Sequence, residues 1–209
     1  MKLYDISVPF SIGLPVYGED PPIITTDTDT IAAGGVANVT RFEFSCHTGT
    51  HIDAPKHFID GGKTISDLPL CHFVGPAIVV EAFGKPAMDE GDINAIPGDI
   101  SGKFILLHTD NGDAMLDGKF RGDYVYITEA AAKSLCERGV KGVGLDYLSV
   151  DPFGSKTFPA HMALLGAGMI ILEGIRLTGI RPGEYLLSCA PLNIPGGNGF
   201  PVRAYLMAD

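Results

Sequence analysis

Charge is scarce in this chain. Charged residues make up 19% of its 209 positions, hydrophobic residues 45%, and the mean hydropathy is +0.21. So few charges cover the surface of a monomer poorly, which predicts that some surface is buried in an oligomer. Basic charge is scarcer than acidic: 15 Lys and Arg against 25 Asp and Glu give a formal net charge of −10. No Lys/Arg cluster offers a local exception, so phosphate backbones would be repelled and nucleic-acid binding is excluded. No run approaches the roughly 18 apolar residues of a membrane span. The N-terminus, MKLYDISVPF, lacks the apolar core of a signal peptide. Cys46, Cys71, Cys136 and Cys189 lack CxxC spacing, so they read as reduced, buried thiols of a cytoplasmic protein. No repeat, low-complexity tract or charged linker marks a boundary, and residues 1–209 read as one domain, long enough to bury a core without disulfide or metal staples.

Glycine (27) and proline (15) are plentiful, which predicts many loops. LYDISV (3–8) reads as a short strand stopped by Pro9, and residues 11–38 as an extended surface arm with brief strands. RFEFS (41–45) alternates polar and apolar, predicting a half-buried strand with Phe42 and Phe44 on one face. AIVVEAF (77–83) and KFILLHT (103–109) are dense apolar runs suited to central strands. DEGDINAI between them allows one or two helical turns. Thr128 caps a helix over EAAAKSLCERG, with Gly139 as its left-handed stop. VKGVGLDY (140–147) is a strand, and Thr157 and Pro159 open a second helix through AHMALLGAG. MIILEG (169–174), YLLSCAPL (185–192) and PVRAYLM (201–207) complete the strands. This order predicts an α/β chain with a mixed sheet, a few flanking helices and a second β layer. GAGMIILEG follows a helix, the wrong context for a dinucleotide or phosphate loop.

Three of the six histidines, His47, His51 and His57, stand with Asp53 inside HTGTHIDAPKH (47–57). A metal site needs neutral imidazoles and carboxylates whose lone pairs converge on one ion. Thr48, Gly49 and Thr50 are poor helix formers, so a tight turn, with Gly49 adopting angles other residues avoid, is expected to fold His47 toward His51. His51 and Asp53, two apart, share a face if the segment is extended. The stretch does not match HExxH, since the glutamate is missing. His57 reads either as a proton shuttle or as a hydrogen-bonded loop histidine. His161 lies one turn into the second predicted helix. Glu173 ends an apolar run and needs a partner there unless it is exposed. His72 and His108 read as packing residues, and Cys46 as buried on the face opposite His47.

HTGTHIDAPKH follows the His-x-Gly-Thr-His-x-Asp-Ala-Pro-x-His pattern of the cyclase-like metal-dependent hydrolases, a family that includes bacterial kynurenine formamidases and isatin hydrolases. YDISVPF, GLPVYGEDPP (13–22), GLDYLSVDP (144–152), SKTFPAH (155–161), ILEGIRL (171–177), PGEYLL (182–187) and VRAYL extend the resemblance over essentially the whole chain. The resemblance implies a swivelling β/β/α domain that forms a homodimer or higher homo-oligomer. It implies that His47, His51 and Asp53 hold one divalent metal, Zn2+ or Mn2+, and that Asp53 bridges to a second ion bound by His161 and Glu173. His57 would be the general acid/base, and Tyr17 would help wall an aryl pocket. The implied activity is hydrolysis of a non-peptide C–N bond in a small-molecule amide, with a metal-activated water as nucleophile. N-formyl-L-kynurenine, cleaved to kynurenine and formate, is the first reading; opening of a cyclic amide or imide is the alternative, and a non-catalytic metal-binding protein is the alternative of another class. The chain departs from bacterial kynurenine formamidases at Thr50, where they tend to have Ala, and at Tyr147-Leu148, where they tend to have Thr-Pro. Those positions are therefore expected to line the substrate pocket.

Overall fold

Two apolar runs, around Val79 and Leu106, form the middle of the fold in a computed structural model that describes residues 1–208. The N-terminal arm contributes β1 (Lys2–Asp5), β2 (Ile24–Asp29) and β3 (Val39–Glu43), and the histidine stretch β4 (His51–Asp53). β5 (Val74–Ala82), β6 (Ala87–Met88), α1 (Glu90–Asn94) and β7 (Phe104–Thr109) follow. β8 (Tyr126–Ile127), α2 (Glu129–Glu137), β9 (Gly142–Leu145), α3 (Pro159–Gly166) and β10 (Ile170–Glu173) come next. β11 (Gly183–Ser188), β12 (Gly199–Pro201) and β13 (Tyr205–Ala208) complete the described chain.

Nine strands make one mixed sheet in the order β1-β13-β11-β5-β7-β9-β10-β4-β12. Its centre, β5-β7-β9-β10, is parallel, and both flanks are antiparallel. Parallel strands are covered on both faces, which is why β7 reads as an unbroken apolar run and buries Phe104 through Leu107 completely. On one face α1, α2 and α3 pack Ile93, Leu135 and Leu164 against Ile105, Leu107 and Val143. On the other, Ile52 of β4 and Leu206 of β13 share one apolar cluster with Phe104 and Leu172, although their strands lie near opposite ends of the sheet. The sheet therefore curls around that second core. The α/β class, the mixed central sheet and the few flanking helices are as expected from the sequence; the expected second β layer is supplied by the same sheet curling over. No helix among the described residues is long and apolar enough to cross a membrane.

The local signals succeeded where the caps are sequential. Thr128 Oγ1 accepts the Ala131 N–H at the start of α2, and Gly139, at φ +68°, ends the turn that follows. At α3 Thr157 does not cap. The preceding residue is Phe158, and the carboxylate of Asp151 accepts the N–H groups of Ala160 and His161 instead. β3 forms, but as an exposed hairpin with β2 rather than a half-buried strand. Phe42 is 51% exposed, whereas Phe44 turns inward to Phe10 and Phe200. PVRAYLM is not one strand: β12 pairs with β4 while β13 pairs with β1 and β11, a crossing that the curl makes short. Of the cysteines only Cys189 is buried. Cys71 is exposed, Cys46 and Cys136 are half-buried, and all four are free thiols.

Candidate metal centre

The centre grows out of a turn. Gly49 takes φ +66°, a region L side chains avoid, and the chain doubles back so that His51 Nδ1 donates to the Gly49 carbonyl at 2.9 Å. β4 is extended, so His51 and Asp53 point the same way. β10 runs antiparallel beside it with Glu173 directly opposite His51, and α3 delivers His161 from its first turn. His47 Nδ1 lies 2.7 Å from Asp53 Oδ1, and His51 Nε2 lies 3.5 Å from the same oxygen. His161 Nε2 is 3.6 Å from Asp53 Oδ2 and 3.3 Å from Glu173 Oε1. His51 Nε2 also approaches Glu173 Oε2, at 3.4 Å. Two donor triads result, His47–His51–Asp53 and Asp53–His161–Glu173, each with its atoms within 4.8 Å of one another. Asp53 belongs to both.

The ring nitrogens that face away from Asp53 have partners of their own. His51 Nδ1 has the Gly49 carbonyl, His161 Nδ1 has Asp151 Oδ2 at 2.6 Å, and His47 Nε2 has Asn198 Oδ1 at 3.2 Å. Assigned from this network, the N–H sits on the outer nitrogen of each ring. With neutral rings the inner lone pairs would face carboxylate oxygens, an acceptor against an acceptor, which is repulsive unless a proton or a metal ion stands between them. Asp53 Oδ2 is fully buried with no hydrogen-bond partner. A lone buried carboxylate oxygen is costly, and a divalent ion would satisfy it. The imidazole and carboxylate donors suit zinc or a similar ion, and outer partners on each ring are a regular feature of such sites.

Protonation behaviour carries the same message. Burial opposes a charge on His47, but Asp53 and Cys46 outweigh it and lift its pKa to about 11. His51 is likewise opposed by burial yet raised to about 9 by Asp53 and Glu173. Burial would raise Asp53, but the nearby imidazoles of His161, His47 and His51 hold it well below the usual carboxylate range. The cluster demands positive charge, supplied either by protons or by a metal. His57 differs: burial pushes its pKa down to about 4, and the positive charges of His47 and His161 add to that.

A cavity of about 70 Å³ opens over the cluster. His57 stacks on His47 at 3.8 Å and lines it, together with His161 and Glu173. Tyr17, Phe58 and Phe158 stand half-exposed in its wall, with Leu148 and Ser149 buried beneath. Tyr147 does not reach it. That side chain is fully buried; its hydroxyl accepts the Arg121 N–H at 2.6 Å and donates to the Arg121 carbonyl at 3.0 Å. Thr50 is also turned away, accepting from the Val8 N–H and donating to the Gly174 carbonyl. Of the three positions expected to line the pocket from their departure from the family pattern, only Leu148 does so. A larger groove, about 410 Å³ between Asp5, Val8, Thr50 and Arg203, holds none of the clustered histidines. His72 is half-exposed outside the cluster, and His108 packs on Phe83. Cys46 donates to Asn198 Oδ1 at 3.0 Å and is held outside both triads.

Sequence reasoning missed Asp151, Asn198, Phe58 and Phe158. Asp151 carries one usable signal, a carboxylate shortly before a helix start. Asn198 carries none, being 151 residues from the histidine it touches.

A family profile described as "Putative cyclase" matches residues 4–152. The kynurenine formamidase of Salinibacter ruber is 41% identical over 170 residues, covering 81% of this chain and 79% of that protein. The kynurenine formamidase of Geobacillus thermodenitrificans is 37% identical over 203 residues, covering 97% and 95%. Among solved structures, the "predicted metal-dependent hydrolase from Bacillus stearothermophilus" superposes with a TM-score of 0.84 at 32% identity, over 98% of this chain and 97% of the other. Isatin hydrolase A from Ralstonia solanacearum gives a TM-score of 0.88 at 24% identity, over 100% and 92%, a likeness of fold.

Proposed function

The chain belongs to the cyclase-like metal-dependent hydrolase family, and from that premise we propose that it is an arylformamidase that cleaves N-formyl-L-kynurenine to L-kynurenine and formate. The similarity to kynurenine formamidases along nearly the whole chain supports the substrate. The observation that carries the chemistry is the unpartnered, buried Oδ2 of Asp53, the carboxylate that the two donor triads share. In this reading His47, His51 and Asp53 hold one divalent ion, zinc or manganese, and Asp53, His161 and Glu173 hold a second. Such ions, when bound, polarise a carbonyl and make water acidic enough to attack near neutral pH.

The remaining steps fall to the chain itself. Hydrolysis adds the oxygen of water to the formyl carbon and a proton to the departing anilide nitrogen. His57 carries that proton, taking it at a ring nitrogen as the water attacks and returning it as the C–N bond breaks. Its depressed pKa keeps it a neutral base at pH 7, and the imidazolium it becomes is correspondingly acidic. Tyr17, Phe58 and Leu148 shield the reacting group from bulk water in this reading, and Tyr147 takes no part in that wall. Exposed Val36, Val39 and Phe42 on the β2–β3 hairpin, with the sparse surface charge, support a homodimer or higher homo-oligomer. The four free thiols suit a reducing cytoplasm.

Turnover of N-formyl-L-kynurenine, isatin and a simple cyclic imide by metal-loaded wild type and His57→Ala tests the proposal. Formylkynurenine should be the best substrate. His57→Ala should lose about 10²–10⁴-fold in kcat with its metal content unchanged. Opening of isatin alone would replace the formamidase reading with the cyclic-amide one. Bound metal without turnover of any of the three would leave a metal-binding protein.

A further inference from the structure

Phe158 is the single non-glycine residue with a left-handed backbone among the described residues, at φ 45° and ψ 55°. That conformation crowds Cβ of an L residue and persists only where its surroundings enforce it. Three features enforce it here. Ser155 Oγ accepts the Phe158 N–H at 3.0 Å, Pro159 fixes the first helical position, and Asp151 captures the next two N–H groups. None of these requires phenylalanine, and all would hold a glycine more easily. The start of α3 therefore accounts for the conformation but not for the residue. The ring does account for it. It stands half-exposed at the cavity, 5.1 Å from the Phe58 ring, and Phe58 in turn lies 4.4 Å from the His161 ring.

We propose that Phe158, with Phe58, is the specificity wall that selects an aryl over an alkyl substituent on the scissile amide nitrogen, and that the left-handed backbone is retained to aim its ring. The inference rests on the amide-hydrolase reading and names which amides that site takes. At about 70 Å³ the cavity has the volume of two or three waters. It takes the reacting carbonyl, and the nitrogen substituent must lie across the rim, where Tyr17, Phe58 and Phe158 present aromatic surface. Ring-on-ring contact at centroid separations of about 4.5–7 Å favours a planar aryl group beyond its buried area.

The test compares wild type with Phe158→Gly, using kcat/KM for an aryl and an alkyl formamide, thermal unfolding, and binding of L-kynurenine. The variant should keep its melting temperature within about 4 °C, because relief of strain offsets the lost packing. Its aryl-to-alkyl kcat/KM ratio should fall about tenfold or more. An unchanged ratio, or a variant that no longer folds, overturns the proposal. Should wild type cleave neither formamide, the arylformamidase reading fails separately, and kynurenine binding decides. Binding about tenfold weaker in Phe158→Gly supports the aryl wall; equal binding, or none by wild type, overturns it.

Discussion

A single buried carboxylate, Asp151, starts α3 and orients His161, taking the Ala160 and His161 N–H groups and His161 Nδ1. Asparagine there keeps an acceptor for the helix but cannot hold the imidazole N–H and both backbone groups as a carboxylate does. Asp151→Asn should therefore weaken divalent-metal affinity about 10–100-fold, measured by chelator competition. The protein should remain folded, since loss of a cap costs about 1 kcal/mol; unchanged affinity would remove Asp151 from the proposed centre. His47 and His51 carry a related prediction. With pKa values raised to about 11 and about 9, both are protonated at pH 7 in the metal-free protein, and a metal takes only their neutral rings. Metal binding must then release protons, and affinity must rise from pH 6 to pH 9. Titration at pH 7 in buffers of different ionisation enthalpy reads this directly, and absence of proton release would contradict it. At this scale the sequence disclosed whatever was local. His47, His51 and Asp53 lie within seven residues, and their spacing around Gly49 already implied convergence. Asn198, and the side-chain directions of Tyr147 and Thr50, depend on tertiary contacts that no local pattern encodes.

Three short elements bring the proposed ligands together, and their registers decide the site. β4 lies between β10 and β12, with Glu173 opposite His51 and Gly199 opposite Asp53. The strand is only three residues long, so its pairing, more than its propensity, holds it in place. Gly199 is required by close approach: a Cβ there would fall on the His47 ring and on the Ile52 carbonyl. Gly199→Ala should displace His47, and either the ring or the β12 backbone must yield. The expected result is a loss of metal affinity exceeding the effect of any loss of stability, seen as weaker binding under conditions where circular dichroism shows the fold intact. Wild-type affinity in a folded variant would refute this account of His47. The elements most legible in sequence were those with sequential caps or unbroken apolar runs, α2, β5 and β7. The helix expected after Pro159 is there as α3, but its start is held by Asp151 rather than Thr157, and the split of PVRAYLM follows the curl of the sheet.

At the scale of the whole molecule, the curled sheet joins an apolar core to a polar centre. The parallel strands bury Ile105, Leu106 and Leu107 completely, each contributing about 1.5–3 kcal/mol. That core holds two carboxylates and three histidines close together at the ends of β4 and β10. The histidine motif and its resemblance to a family foretold the α/β class and pointed to the residues that converge here, while the path of the sheet and the exposure of the β2–β3 hairpin emerged only in three dimensions. In the proposed reading, this centre is a metal site that cleaves an aryl formamide. Formate release from N-formyl-L-kynurenine, followed on chelator-stripped protein before and after zinc or manganese is restored, tests it most directly. The stripped protein should show no turnover, and adding the ion should restore it. Turnover indifferent to stripping, or metal binding that restores none, would contradict it.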